Sequence, residues 1–211
     1  MNIIHHQIHR LSVIRIMPLL ALLFGVLLPH QACAKNFSTV VIDPGHGGND
    51  KGSNWYGVYE KKLSLDLSKR VQRILKSKGI PAVLTRSSDT YVSLDNRAAI
   101  ANRKSHSIFV SLHFNGHSNT SYTGIESFYF PGSSKGRQLA GKIQHELGNR
   151  ILTRSRGIKA SRLKVLRLTK GPAVLIECGF LSNPWERKRC NSAWLREIIA
   201  EEIVQGIMAY R

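Results

Sequence analysis

Apolar residues recur along this chain with two different periods, and the two alternate. Short runs rich in β-branched and aromatic residues at Thr39–Ile42, Ile80–Thr85, Ile108–His113, Ile125–Phe130, Leu163–Leu168 and Ala173–Glu177 predict strands. Three of them (Val40-Val41-Ile42, Ile108-Phe109-Val110 and Ala173-Val174-Leu175-Ile176) are apolar throughout, the pattern of strands covered on both faces. Between the strands, apolar positions 63, 67, 71, 74 and 75 have helical spacing, with Gly79 as a stop. Leu94–Arg103, with Ala98, Ala99 and Ala101, predicts a short helix. A longer one starts near Ser133-Ser134 and runs towards Thr153 through Leu139, Ile143, Leu147 and Ile151. Asn183-Pro184 starts a turn or helix, and Trp194–Tyr210 carries a last apolar face of Leu195, Ile198, Ile199, Ile203, Ile207 and Met208. Strands alternating with helices predict a single α/β domain with a roughly six-stranded, mostly parallel sheet flanked by helices. After Lys35 there is no internal repeat, linker or low-complexity tract.

The first 34 residues do not fit that pattern. Arg10 and Arg15 precede a ten-residue apolar stretch, Leu19–Leu28, and Ala32-Cys33-Ala34 follows as a small-x-small cleavage site. This predicts a secretory signal peptide over residues 1–34 and a mature chain of residues 35–211. The stretch is too short for a transmembrane helix. His30 stands where a lipid-modified Cys33 needs an aliphatic neighbour, so no stable membrane anchor is expected. An exported chain acts in the periplasm or the cell wall.

Export changes what the charge means. The formal net charge is +18, and about +16 once Arg10 and Arg15 are removed. Such a charge concentrates a protein at anionic polymers. Outside the cytoplasm those are wall or envelope polymers, and nucleic acid is not an expected partner. Cys178 and Cys190 remain in the mature chain. A disulfide is permitted there, but Cys178 falls in a buried strand and two buried thiols are the expectation.

Chemistry gathers where the predicted strands end. Asp43-Pro44-Gly45-His46-Gly47-Gly48 follows the first, Ser111-Leu112-His113-Phe114-Asn115 ends the third, and Glu177 ends the last; Glu60 opens a helix after the glycine loop. The carboxyl ends of neighbouring parallel strands are where open α/β sheets place ligand sites. Two His and one Glu are a three-ligand set for catalytic zinc with the fourth position left to water, and a separate Glu can act as base on that water. Each residue also has a plain reading: a glycine-rich anion loop, a first-turn Glu on the helix dipole, a satisfied core His. The loop lacks the Lys-Ser/Thr pair of a phosphate loop. A carboxylate ending an apolar strand needs a partner, a metal or a raised pKa. Asn115 and Glu126 are candidate substrate contacts. His106, His117 and His145 have no such context and read as surface residues.

These segments, together with Thr85-Arg86 and Pro172-Ala173-Val174-Leu175-Ile176-Glu177-Cys178-Gly179-Phe180-Leu181-Ser182-Asn183, closely resemble the zinc-dependent N-acetylmuramoyl-L-alanine amidases of the amidase_3 type, over about residues 38–211. The resemblance implies a six-stranded mixed sheet flanked by helices. It implies one Zn2+ bound by His46, Glu60 and His113, and Glu177 as the catalytic acid/base. The implied reaction cleaves the amide between the lactyl group of muramic acid and L-alanine in peptidoglycan. Some relatives carry a long insertion whose helix plugs the zinc site. Here Phe130-Pro131-Gly132-Ser133 leads almost directly into the next helix, so no plug and no obligatory activator protein are expected. No second domain for wall targeting is expected either, which leaves wall binding to the charge. Two alternatives stand beside the amidase: a zinc peptidase acting on the stem peptide, and a basic exported wall-binding protein. Ser161-Arg162-Leu163-Lys164 spells the S-x-x-K of penicillin-binding enzymes, but the companion K-T-G is absent.

Overall fold

The computed structural model describes residues 36–211. The expected leader, its cleavage site and Cys33 lie outside the described residues. From the amino end come β1 (Thr39–Pro44), a small hairpin of β2 (Asn54–Trp55) and β3 (Val58–Tyr59), α1 (Glu60–Ser77), β4 (Ala82–Leu84) and α2 (Leu94–Asn102). They are followed by β5 (Ser107–Asn115), β6 (Ile125–Tyr129), α3 (Ser134–Arg150), β7 (Ser155–Ala160) and α4 (Lys164–Leu168). The chain closes with β8 (Ala173–Phe180), α5 (Pro184–Cys190) and α6 (Ala193–Tyr210). The main sheet has the order β4-β1-β5-β8-β6-β7. The first four are parallel, β6 is antiparallel to β8, and β7 is parallel to β6, so the sheet is six-stranded, mixed and mostly parallel.

Successive strand residues point to opposite faces, and the two faces differ. Val40, Ile42, Ile108, Val110, Leu112, Val174 and Ile176 share one core with the apolar stripes of α1, α3 and α6, helices of 18, 17 and 18 residues. There α6 crosses α3 so closely that a Cβ on Gly206 would stand 2.4 Å from Ile143 Cα. Val41, Phe109 and Leu175 face the other way, onto Ala101 of α2 and Val165 and Leu166 of α4. These helices have only nine and five residues. The second layer therefore covers the amino-terminal half of its face. Beyond it the same face carries polar side chains, and the candidate site lies there.

Local signals place the helices. Ser93, Ser133 and Ser192 cap α2, α3 and α6 by accepting from the backbone N–H three residues on, and Asn183 caps α5 with Pro184 at its first position. Gly79, at φ 69°, ends α1 with the Ile80 N–H returning to the Leu75 carbonyl. α1 has no side-chain cap. Its first N–H groups donate instead to the carbonyls of Ser53 and Lys51, which ties its start to the glycine loop.

One expected strand is corrected. Leu163–Leu168 forms α4, and the sixth strand is β7, Ser155–Ala160. The run Leu163, Val165, Leu166, Leu168 fits either period, and the adjacent burial of Val165 and Leu166 suits a helix lying on the sheet. β7 is an edge strand with one large apolar residue, Ile158, so alternation could not mark it. The glycine loop also contains the β2–β3 hairpin. α3 stops at Arg150, short of Thr153, and β4 is shorter than Ile80–Thr85. Cys178 and Cys190 are both buried free thiols.

Candidate metal centre

Four segments bring the site together. β1 and β5 are in register through Asp43 and Ser111, so Gly45, just beyond β1, lies beside His113. A Cβ on Gly45 would stand 2.4 Å from the His113 ring, so only glycine lets the loop pass there. His46 follows in the left-handed region, at φ 59°. Its carbonyl accepts from Arg97 Nη2 at 2.7 Å, and its Nδ1 meets Asp50 Oδ2 at 2.8 Å, which leaves Nε2 facing Glu60. Glu60 sits in the first turn of α1. Its Oε2 accepts from the Ser53 N–H at 2.7 Å, and its Oε1 accepts from the Phe114 N–H at 3.0 Å. The same Oε1 lies 2.8 Å from His113 Nδ1 and 3.1 Å from His46 Nε2. His46, Glu60 and His113 thus each offer a ligand atom, all within 4.8 Å of one another.

This donor set fits a zinc ion. Two nitrogens and one carboxylate oxygen converge, the carboxylate is held by two backbone N–H groups, and Asp50 steadies one imidazole from behind. The approach of Gly52 belongs to the same cradle: at φ 64°, a Cβ there would lie 2.5 Å from both Glu60 Oε2 and the His46 ring. Burial works against an ionised Glu60, but hydrogen bonds from His113 and His46 outweigh it and hold the carboxyl below its usual range. Burial also disfavours a charged His46, yet the bonds and charges of Glu60 and Asp50 prevail and raise its pKa.

Glu177 lies one strand away, in register with His113 on β5 and with Glu126 on β6. It lies within β8 rather than at its end, since the strand continues to Phe180. Its Oε2 is buried without a hydrogen-bond partner. Burial first, then repulsion from Glu60 and Glu126, pushes its carboxyl well above the ordinary range. Glu126 is held by Arg156 at 3.2 Å and by Lys159, and it accepts from Asn115 Nδ2 at 3.0 Å. A cleft of about 460 Å³ opens over His46, Glu60, His113, Asn115 and Glu177.

The structure brings His46, Glu60, His113, Asn115 and Glu177 around this cleft, with Glu126 just behind Asn115. His106 and His145 lie outside it. His117 does not stay a plain surface residue: it lines the cleft and stacks on Tyr122, with ring centroids 3.8 Å apart. Sequence reasoning also missed Asp50, Trp55 and Arg97, and gave Arg86 no role. Arg97 pairs with buried Asp43 at 2.8 Å, and Arg86 donates to the carbonyls of Pro44 and Gly45. An acidic residue four positions after a loop histidine was a usable hint of Asp50; Arg86 entered only as part of the resembling Thr85-Arg86 pair, without a role, and Arg97 left no hint.

Fold and cluster together define an α/β domain with a candidate metal centre on one face of a mixed sheet. The chain belongs to the Amidase_3 family, N-acetylmuramoyl-L-alanine amidase, whose model matches residues 40–209. It is 34% identical over 174 residues to the N-acetylmuramoyl-L-alanine amidase LytC of Bacillus subtilis, covering 82% of this chain but only 35% of LytC. It is 36% identical over 196 residues to the uncharacterised protein YqiI of the same organism, covering 89% of this chain and 94% of YqiI. Among solved structures, the N-acetylmuramoyl-L-alanine amidase from Clostridium difficile 630 superposes with a TM-score of 0.79 at 41% identity, covering 83% of this chain and 97% of that one.

Proposed function

We propose that this protein is a zinc-dependent N-acetylmuramoyl-L-alanine amidase that hydrolyses the amide between muramic acid and the L-alanine of the peptidoglycan stem. The observation that carries the reading is the convergence of His46, Glu60 and His113 within 4.8 Å, beside the unpartnered buried oxygen of Glu177. Family membership supports the substrate.

His46, Glu60 and His113 hold the ion, one per chain. Bound there, Zn2+ supplies Lewis-acid polarisation of the scissile carbonyl and a water of lowered pKa. Glu177 handles the proton. Burial, then the carboxylates of Glu60 and Glu126, raise its pKa well above the ordinary range, which suits a group that takes up and returns a proton. It accepts one from the attacking water and delivers it to the nitrogen of the departing L-alanine, which leaves as an amine. Asn115, braced by Glu126, lines the cleft where the substrate lies.

Residues 35–211 form the catalytic domain, and residues 1–34 direct export to the periplasm or wall. The basic surface holds the enzyme on peptidoglycan and other anionic wall polymers. β6 ends at Tyr129 and α3 begins at Ser134, a link that supports activity without an activator protein. Incubation with purified muropeptides and mass spectrometry of the products tests the reaction. We expect free stem peptide with L-alanine at its amino end. Cuts inside the stem would instead make the protein a peptidase. His46→Ala and His113→Ala should each lose most of the bound zinc by metal analysis, because two protein ligands hold it poorly.

A further inference from the structure

Two clefts flank the metal donor set, and His46 and His113 are the only lining residues they share. The first is the polar one described above. The second, of about 290 Å³, runs between the segment before α2 and the start of α4, over Leu175 of β8. Its walls join the apolar side chains of Tyr91, Val92, Leu94, Leu163 and Val165 to paired charges and to Asp50. Three of these are widely exposed, Tyr91 at 62%, Leu94 at 45% and Leu163 at 39%. Exposed apolar side chains gathered beside a reactive centre mark a ligand groove. The backbone of Tyr91 passes against the metal loop: a Cβ on Gly48 would come within 2.9 Å of the Tyr91 nitrogen.

Resting on the amidase reading, we propose that this second cleft binds the N-acetylated amino sugar of the substrate, and that the stem peptide lies across β6 and β7. The scissile amide must sit at the donor set, so sugar and peptide extend from it in different directions. Charge separates them. Beyond Glu177, Arg156 and Lys159 both pair with Glu126, leaving one cation in excess of the carboxylates. That suits a stem peptide bearing carboxylates. In the second cleft the cations are already matched, Arg97 with Asp43 and Lys164 with Asp95. A carboxylate gains little there. A sugar ring offers C–H faces and an acetamide methyl, which pack on an aromatic ring and aliphatic walls.

Binding read without turnover tests this. Calorimetry with the wall disaccharide lacking peptide, and separately with free stem peptide, is run on the protein and on Tyr91→Ala, Leu163→Ser and Lys159→Ala. All three positions lie at the surface, and a thermal melt checks each fold. We expect Tyr91→Ala and Leu163→Ser each to weaken disaccharide binding by roughly fivefold while leaving the peptide unchanged, and Lys159→Ala to do the reverse. Disaccharide binding indifferent to Tyr91 and Leu163, or peptide binding that depends on them, overturns the assignment. A protein that binds disaccharide through Tyr91 yet cleaves no muropeptide refutes the amidase and leaves the sugar cleft standing. Ready cleavage combined with an indifferent Tyr91 does the opposite.

Discussion

His46 occupies a backbone region that a non-glycine residue enters at a cost of about 1–3 kcal/mol. The neighbours over-determine it: glycine on both sides, Arg97 on its carbonyl, Asp50 on its ring. The strain aims Nε2 at the donor set, and a regular strand or helix would aim it elsewhere. Glu177 makes the complementary case, a carboxyl left without a partner where its neighbours are paired. Glu177→Gln keeps shape and volume, so the variant should fold and retain zinc while turnover falls by roughly 100-fold or more. Peptidoglycan hydrolysis at the parental rate would remove Glu177 from the reaction; loss of zinc would make it a ligand. The four principal residues were legible because each interrupts a local pattern with a group that needs an excuse. Arg97 was not, since it joins Asp43 to the carbonyls of Pro44 and His46, which come together only once the loop has closed; Asp50 left only the hint of its spacing from His46.

At the scale of elements, legibility followed burial. β1, β5 and β8 lie inside the sheet, and their apolar runs announce them. β7 lies at the edge, where solvent relaxes the demand for apolar residues, and its sequence Ser155-Arg156-Gly157-Ile158-Lys159-Ala160 says little. α4 is too short for its period to be told from that of a strand. The α3–α6 crossing was invisible for a different reason: a single missing Cβ sets it. Gly206→Ala would normally favour a helix, but here the methyl meets the backbone of Ile143, which cannot turn aside. We expect it to destabilise the protein by about 1–3 kcal/mol, as overpacking does. An unchanged or raised midpoint in urea unfolding would show that the two helices separate freely.

For the molecule as a whole, the uneven layering decides where chemistry can occur. Three long helices seal one face of the sheet, while α2 and α4 stop halfway across the other. Around that opening sits a strongly basic protein, of formal charge +18 over the whole chain. If this charge holds the enzyme on the wall, screening should release it, since the Debye length falls to about 3 Å at 1 M salt. We expect sedimentation with intact sacculi at low salt and release at high salt, with cleavage of small soluble muropeptides changing much less. Sedimentation that ignores salt would assign wall binding to contacts other than charge.

The sheet order has a consequence in time. β8 is the last strand of the chain, yet it stands between β5 and β6, which do not pair with each other. A polypeptide delivered amino end first therefore presents His46, Glu60 and His113 long before the strand that unites the two halves of the sheet and carries Glu177. Until β8 has emerged the sheet is in two parts, and Glu177 is missing from the cluster. On the amidase reading, such a chain has no complete site until nearly all of it has emerged.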